Sequence, residues 1–171
     1  MSEDIRIYVA DLAAYNNGIL HGTWINACDD LEDIQEQINT MLKNSPEEDA
    51  EEYAIHDHEG FEGYSVSEYH GIEELHEIAC FIDEHPGIGG ALLSQFCDDL
   101  EEARRAIEEN YYGCYESLAD YAEELTEGTV QVPDHLSYYI DYERMGRDME
   151  MSGDIFTIET AYNEVHIFWN S

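Results

Sequence analysis

The sequence predicts an elongated α+β fold of three small domains: α+β at the N-terminus over residues 1–60, mainly helical over 61–103, and α+β again over 104–171. Three observations predict it. Runs rich in β-formers occupy both ends, while apolar residues at helical spacing fill the middle. Breakers such as Pro46, Pro86 and Gly87 separate the segments. A formal net charge of −35, from 41 Asp and Glu against 6 Lys and Arg, adds self-repulsion that favours an extended molecule over a sphere.

The N-terminal runs IRIYVADL (Ile5 to Leu12) and ILHGTWIN (Ile19 to Asn26) flank AAYNNG, whose Asn17-Gly18 step suits a hairpin turn. Asp29 or Asp30 can cap a following helix in which Leu31, Ile34, Ile38, Met41 and Leu42 share a face. That helix should end near Lys43-Asn44, ahead of Ser45-Pro46. EEYAIHD then reads as a third strand that closes a sheet under the helix.

From Gly60 the pattern turns helical. IEELHEIACFIDEH places Ile72, Leu75, Ile78, Ala79 and Ile82 on one face and is stopped by Pro86-Gly87. GGALLSQFCDDL and LEEARRAIEEN read as short helices on either side of an acidic cluster. Between Asn44 and Ala103 there are 18 Asp and Glu and no Lys or Arg.

The last third begins with YYGCYES as a strand, and Ser117 can cap the helix LADYAEEL. Pro133 can open a helix running through HLSYYIDYERMGRDMEM, with Gly146 as the point that weakens its continuity. Tyr138, Tyr139 and Tyr142 in this stretch are expected in the core, with dimer surface as the alternative. DIFTIE and EVHIFWN alternate around TAYN and read as a closing hairpin. Arg104, Arg105, Arg144 and Arg147 are few enough to be structural.

Such an acidic chain must still fold. Leu, Ile, Val and Phe make up 37 of its residues, about 22% and just above the level of about 20% at which highly charged chains stay disordered. Thirteen Tyr, two Trp and five Met supply further buriable surface. The expectation is a folded protein with little core to spare.

The charge also excludes functions. Nucleic-acid binding needs a basic surface to collect phosphates, and docking on an anionic membrane needs the same. No run of about 20 apolar residues offers a transmembrane helix. The start, MSEDIRIYVADL, lacks the basic and apolar regions of a secretory leader, so the expected compartment is the cytoplasm. Cys28, Cys80, Cys97 and Cys114 form no C-x-x-C pair and read as reduced, buried thiols.

No catalytic motif stands out, and paired carboxylates for acid-base work cannot be picked out among 41 candidates. HDHEG (His56 to Gly60) groups two His with two carboxylates, a set that could hold a divalent metal in a hydrolase. Strand alternation would send His56 and His58 to one face and Asp57 and Glu59 to the other, so no metal site is expected. HEIAC (His76 to Cys80) has Cys where the zinc-protease helix has its second His, and PGIGG (Pro86 to Gly90) lacks the Lys-Ser/Thr of a phosphate loop.

What −35 can do is imitate DNA. Duplex DNA carries one charge per ~1.7 Å of axis, so 35 charges correspond to ~60 Å of duplex and two copies to ~120 Å. Carboxylates at comparable density would occupy a Lys/Arg-lined DNA channel by complementary potential.

Four segments carry a family resemblance: IYVADLAAYNNGILHGTWI near the start, EEYAIHDHEGF before the first boundary, ENYYGCYESLADYAEEL in the last third, and YIDYERMGRDMEMSGDIF near the end. Through them the chain resembles the ArdA antirestriction proteins of mobile elements over essentially its whole length. The resemblance implies a cytoplasmic DNA mimic, a curved rod of three domains that dimerises through its C-terminal domain. It implies occupation of the DNA-binding groove of type I restriction-modification enzymes, with restriction and often modification blocked. It implies no catalytic residue and no required cofactor. The competing interpretation is an acidic module that sequesters a different basic DNA-binding protein.

Candidate partner-binding carboxylates are those on predicted helix faces opposite the apolar stripes. They are Asp29, Asp30, Asp33, Glu36, Glu73, Glu74, Glu77, Asp98, Asp99, Glu101, Glu102, Glu108 and Glu109.

Overall fold

A computed structural model describes residues 4–68 and 70–170. Among these, eight α-helices and two three-stranded antiparallel sheets meet the expectation of mixed helix and sheet. Backbone contacts divide the chain into two compact units, Met1–Asp98 and Asp99–Ser171.

In the first unit β1 (Arg6–Asp11) lies between β2 (Gly22–Asn26) and β3 (Tyr53–Glu59), antiparallel to both. The expected pairing of the first two runs is there, and Asn17-Gly18 is a turn with Gly18 at φ 79°, but a helical turn precedes it. Asp11 ends β1 and caps a helical turn, α1 (Leu12–Asn16), its Oδ1 accepting from the Ala13 and Ala14 amides at 2.9 and 3.3 Å. A buried capping carboxylate thus diverts the chain, and β2 starts three residues later than the β-formers suggest. Gly22 is required at that start: a Cβ there would lie 2.5 Å from the Val9 carbonyl and 2.8 Å from the Tyr8 ring.

Helix α2 (Leu31–Lys43) follows the apolar spacing, burying Ile34, Ile38 and Met41 beneath an acidic outer face. It ends where expected, with the Asn44 amide bonded to Thr40 O at 3.1 Å. Ile7, Val9, Ile25 and Ile55 complete this core. Helix α3 (Ile72–Glu84) buries Leu75, Ile78 and Ile82, each worth about 1.5–3 kcal/mol of transfer free energy. Helix α4 (Gly89–Gln95) closes onto it, Gly89 lying so near Ile82 that a Cβ would meet its Cα at 2.9 Å.

In β3 the pairing slips: Tyr8 faces Asp57 but Val9 faces Ile55, leaving His56 as the extra residue of a bulge. The bulge overturns simple alternation. His58 now pairs with the buried Ile7, and its ring lies edge-on to Phe61 at 5.7 Å, while His56 turns to Tyr15 at 4.7 Å.

The second unit begins with α5 (Leu100–Arg105), whose end widens into a π-helical turn (Ala106–Asn110) rather than continuing regularly. Strand β4 (Tyr111–Tyr115) and the hairpin of β5 (Ile155–Ala161) and β6 (Glu164–Trp169) form a sheet with β6 in the middle. Ser117 caps α6 (Leu118–Thr129), its Oγ accepting from the Asp120 amide at 3.2 Å. Tyr121, Ile155, Val165 and Ile167 form the core, flanked by Tyr115, Leu118, Leu125 and Met149.

The single helix expected after Pro133 is two: α7 (Asp134–Ser137) and α8 (Tyr142–Met151). The interruption falls at residues 138–141, where Asp141 caps α8 by accepting from the Arg144 amide at 3.1 Å, and Gly146 sits in unbroken helix. Tyr138 and Tyr139, expected in the core, fall in that interruption, where no apolar stripe packs, and are 92% and 85% exposed. Tyr142 is half-buried. The four cysteines are thiols, none in a disulfide, but they are not the buried set expected: Cys28 and Cys80 are half-buried, and Cys97 and Cys114 are exposed.

Candidate functional site

The acidic surface is built from the polar faces of amphipathic helices. In α2 the stripe Ile34, Ile38, Met41 faces inward, so Glu32, Asp33 and Glu36 face water. Asp30 occupies the cap position of α2 but makes no side-chain capping bond, and it is exposed. Asp29 is half-buried and accepts from Gln37 Nε2 at 3.3 Å.

Asp29, Asp33 and Glu36 line one open groove of about 660 Å³ together with His21, Thr23 and Gln37. The His21 ring in its lining is fixed by Nε2, which donates to the Met41 carbonyl at 2.7 Å. Three carboxylates around one groove make a negative trough suited to a cationic side chain.

On α3 the exposed Glu73, Glu74 and Glu77 form a second acidic ridge, opposite Leu75 and Ile78. Helices α2 and α3 touch. Asp98 is exposed at a left-handed φ of 71°, just after α4. It lies beside Tyr64, whose phenol is pushed up by burial and further by that carboxylate.

Two further candidates have local structural work. Asp99 caps α5, accepting from the Glu102 amide at 3.1 Å. Glu102 is half-buried and accepts from Arg105 Nη1 at 2.9 Å. Glu101, Glu108 and Glu109 are exposed, the last two on the π-helical turn.

Judging only helix faces passes over other carboxylates. Glu47, Glu48, Asp49 and Glu51 line a cavity of about 680 Å³ on the loop after α2, where residues 47–52 contain five acids and one Ala. That local density was the available signal. In the second unit Glu116, Glu143, Glu150 and Glu159 line a groove of about 440 Å³ together with Arg147.

Counter-charge is scarce. The first unit carries 23 Asp and Glu against 2 Lys and Arg, the second 18 against 4. Among the described residues the arginine ion pairs are Arg6 with Glu59 and Arg105 with Glu102. Both are exposed pairs of small energetic weight. Most of the described carboxylates therefore face solvent outside any arginine ion pair.

Among the described residues no group of three or more His, Cys, Asp and Glu is placed to hold a metal ion, and no helix is long and apolar enough to cross a membrane. The family model for the antirestriction protein ArdA matches residues 7–164. No curated protein matches the chain.

Proposed function

The chain belongs to the ArdA family of antirestriction proteins, and on that premise we propose that it acts as a protein mimic of duplex DNA. It fills the DNA-binding groove of a type I restriction-modification enzyme and so keeps incoming DNA from being cut, and from being modified. It does this by charge and shape in the cytoplasm, without catalysis, metal or cofactor. One observation carries the reading: a net charge of −35 borne by carboxylates that are mostly exposed and outside any arginine ion pair. A DNA groove lined by Lys and Arg recovers in such a surface the interactions it makes with phosphates.

Within this reading the Asp29–Glu36 groove, the Glu73–Glu77 ridge and the exposed acids Asp30, Asp98, Glu101, Glu108 and Glu109 meet the enzyme. The chain is elongated in three parts, 1–60, 61–103 and 104–171, and pairs with a second copy through the last. Exposed Leu136, Tyr138, Tyr139 and Met151 support pairing there, because apolar surface of this kind favours a protein contact.

The test is displacement. Purified protein is added to a type I methyltransferase core holding labelled duplex, at low and at moderate salt. Release of duplex near one dimer per enzyme, weaker as salt rises, is the expected result. Failure of a folded sample to release duplex overturns the reading and turns the search to other basic DNA-binding proteins. Small-angle scattering of the free protein tests the elongated dimer.

A further inference from the structure

Away from the carboxylates, the turn between β2 and α2 meets α3 through sulfur. The turn is fixed at three points: Ala27 N bonds Ile5 O at 2.9 Å, Cys28 N bonds Asn26 Oδ1 at 2.8 Å, and the Ala27 carbonyl accepts from His76 Nδ1 at 3.0 Å. One helical turn after His76, Cys80 lies on the same face, with Sγ 3.8 Å from His76 Nε2. The Cys80 sulfur is near enough to Cys28 to push its thiol up. Both are half-buried, within reach of a small reagent.

We propose that Cys28 and Cys80 are an oxidation site, closed to an intramolecular disulfide by a small disulfide oxidant. The order of events follows from the surroundings. His76, whose Nδ1 donates to the Ala27 carbonyl and whose two ring nitrogens lie 3.9 and 3.8 Å from Cys80 Sγ, is the base beside that thiol and takes its proton on Nε2. The Cys80 thiolate attacks one sulfur of the oxidant, whose S–S bond breaks and releases one thiolate. Cys28 then attacks the Cys80 sulfur of the mixed disulfide, and the second thiolate leaves. In sum, two protein thiols give up their hydrogens and the oxidant becomes two thiols.

Cys28 is the second sulfur to react. Its thiol is pushed up to about 12, first by burial and then by the neighbouring Cys80 sulfur and Asp83, so it is the harder of the pair to activate for the first attack. Capping Cys80 removes that neighbour's share of the effect. The surrounding acidity favours a neutral oxidant over an anionic one. Closure would tie the turn carrying Asp29 and Asp30 to the helix carrying Glu73, Glu74 and Glu77.

The full chain carrying Cys97→Ser and Cys114→Ser is treated with hydroxyethyl disulfide. Expected are an intact mass lower by two hydrogens, a Cys28–Cys80 cross-linked peptide after digestion, and a higher melting temperature that dithiothreitol reverses. Adding Cys28→Ser should instead trap the hydroxyethyl adduct on Cys80. Stable adducts on both thiols, disulfide-linked dimers, or thiols that survive an excess of the reagent would overturn the proposal. If the serine variants fail to fold, peptide mapping of the unmodified chain gives the same decision.

Discussion

Gly146 of α8 lies directly against Leu118 of α6, so close that a Cβ on Gly146 would stand 2.7 Å from Leu118 Cγ and 3.1 Å from the Leu118 carbonyl. The glycine is there for contact between two helices. Helix propensity alone would make Gly146→Ala stabilising by about 1 kcal/mol. The clash with the Leu118 side chain, tightened by its carbonyl behind, should outweigh that, since overpacking of a tight contact costs about 1–3 kcal/mol. Urea denaturation followed through Trp169 is expected to show Gly146→Ala destabilised. A midpoint equal to or above the parent would mean that α6 and α8 separate at little cost.

The same glycine shows what the sequence could and could not disclose. An isolated Gly in a helical pattern is ambiguous between a break and a close approach, and only the position of Leu118 decides. The break itself had a readable sign, Asp141 as a capping residue, obscured by the apolar run around it. Helices α2 and α3 were legible because apolar residues at i, i+3 and i+4 fix both a buried face and an acidic one. The bulge at His56 was not, because it exists only in the register of β3 against Tyr8 and Val9. Exposure of the thirteen candidate acids followed largely from the helix faces. The capping role of Asp99 did not, since it needed the first residue of α5.

Tyr121 should tolerate loss of its hydroxyl. The side chain is fully buried against the rings of Tyr112 and Tyr115, and its oxygen meets no hydrogen-bond partner among the described residues. Removing an unsatisfied buried hydroxyl is neutral or stabilising, by up to ~1 kcal/mol for Tyr121→Phe. The substitution should also change the alkaline limb of stability. Burial, with Tyr112 adding, pushes the phenol up to about 12, so the folded state favours the neutral form. Its contribution is complete below the unfolded value of about 10 and is lost as pH rises from there toward the folded value. Denaturation midpoints measured from pH 9 upward should therefore fall less steeply in Tyr121→Phe. Parallel curves for parent and variant would show that this phenol ionises alike in both states.

Repulsion among 41 carboxylates with 6 basic residues opposes folding, and salt screens it. The melting temperature should rise as sodium chloride is raised from about 10 mM to about 500 mM, across which the screening length falls from ~30 Å to a few Å. Exposed ion pairs weaken over the same range, but there are too few of them to reverse the sign. A melting temperature indifferent to salt would mean that the carboxylates are spaced widely enough not to repel, which would remove the physical basis for a DNA-like charge density.

Distributed recognition and a conventional site respond differently to substitution. Amide replacements at Asp33, Glu36, Glu73, Glu74, Glu77, Glu101, Glu108 and Glu109 alter exposed side chains with no capping role, so they should leave the fold intact. Asp99 and Glu102 are left out because losing the Asp99 cap alone costs about 0.5–2 kcal/mol. Introduced one by one, the eight changes should weaken displacement of duplex in small steps, each also reducing its salt dependence, because each removes one charge from a shared potential. His56→Ala with His58→Ala should leave displacement unchanged, since the two rings turn to Tyr15 and Phe61 and are not gathered around a metal. Abrupt loss from any single carboxylate, or from the two histidines in a still-folded protein, would locate activity in a compact site and end the argument from total charge.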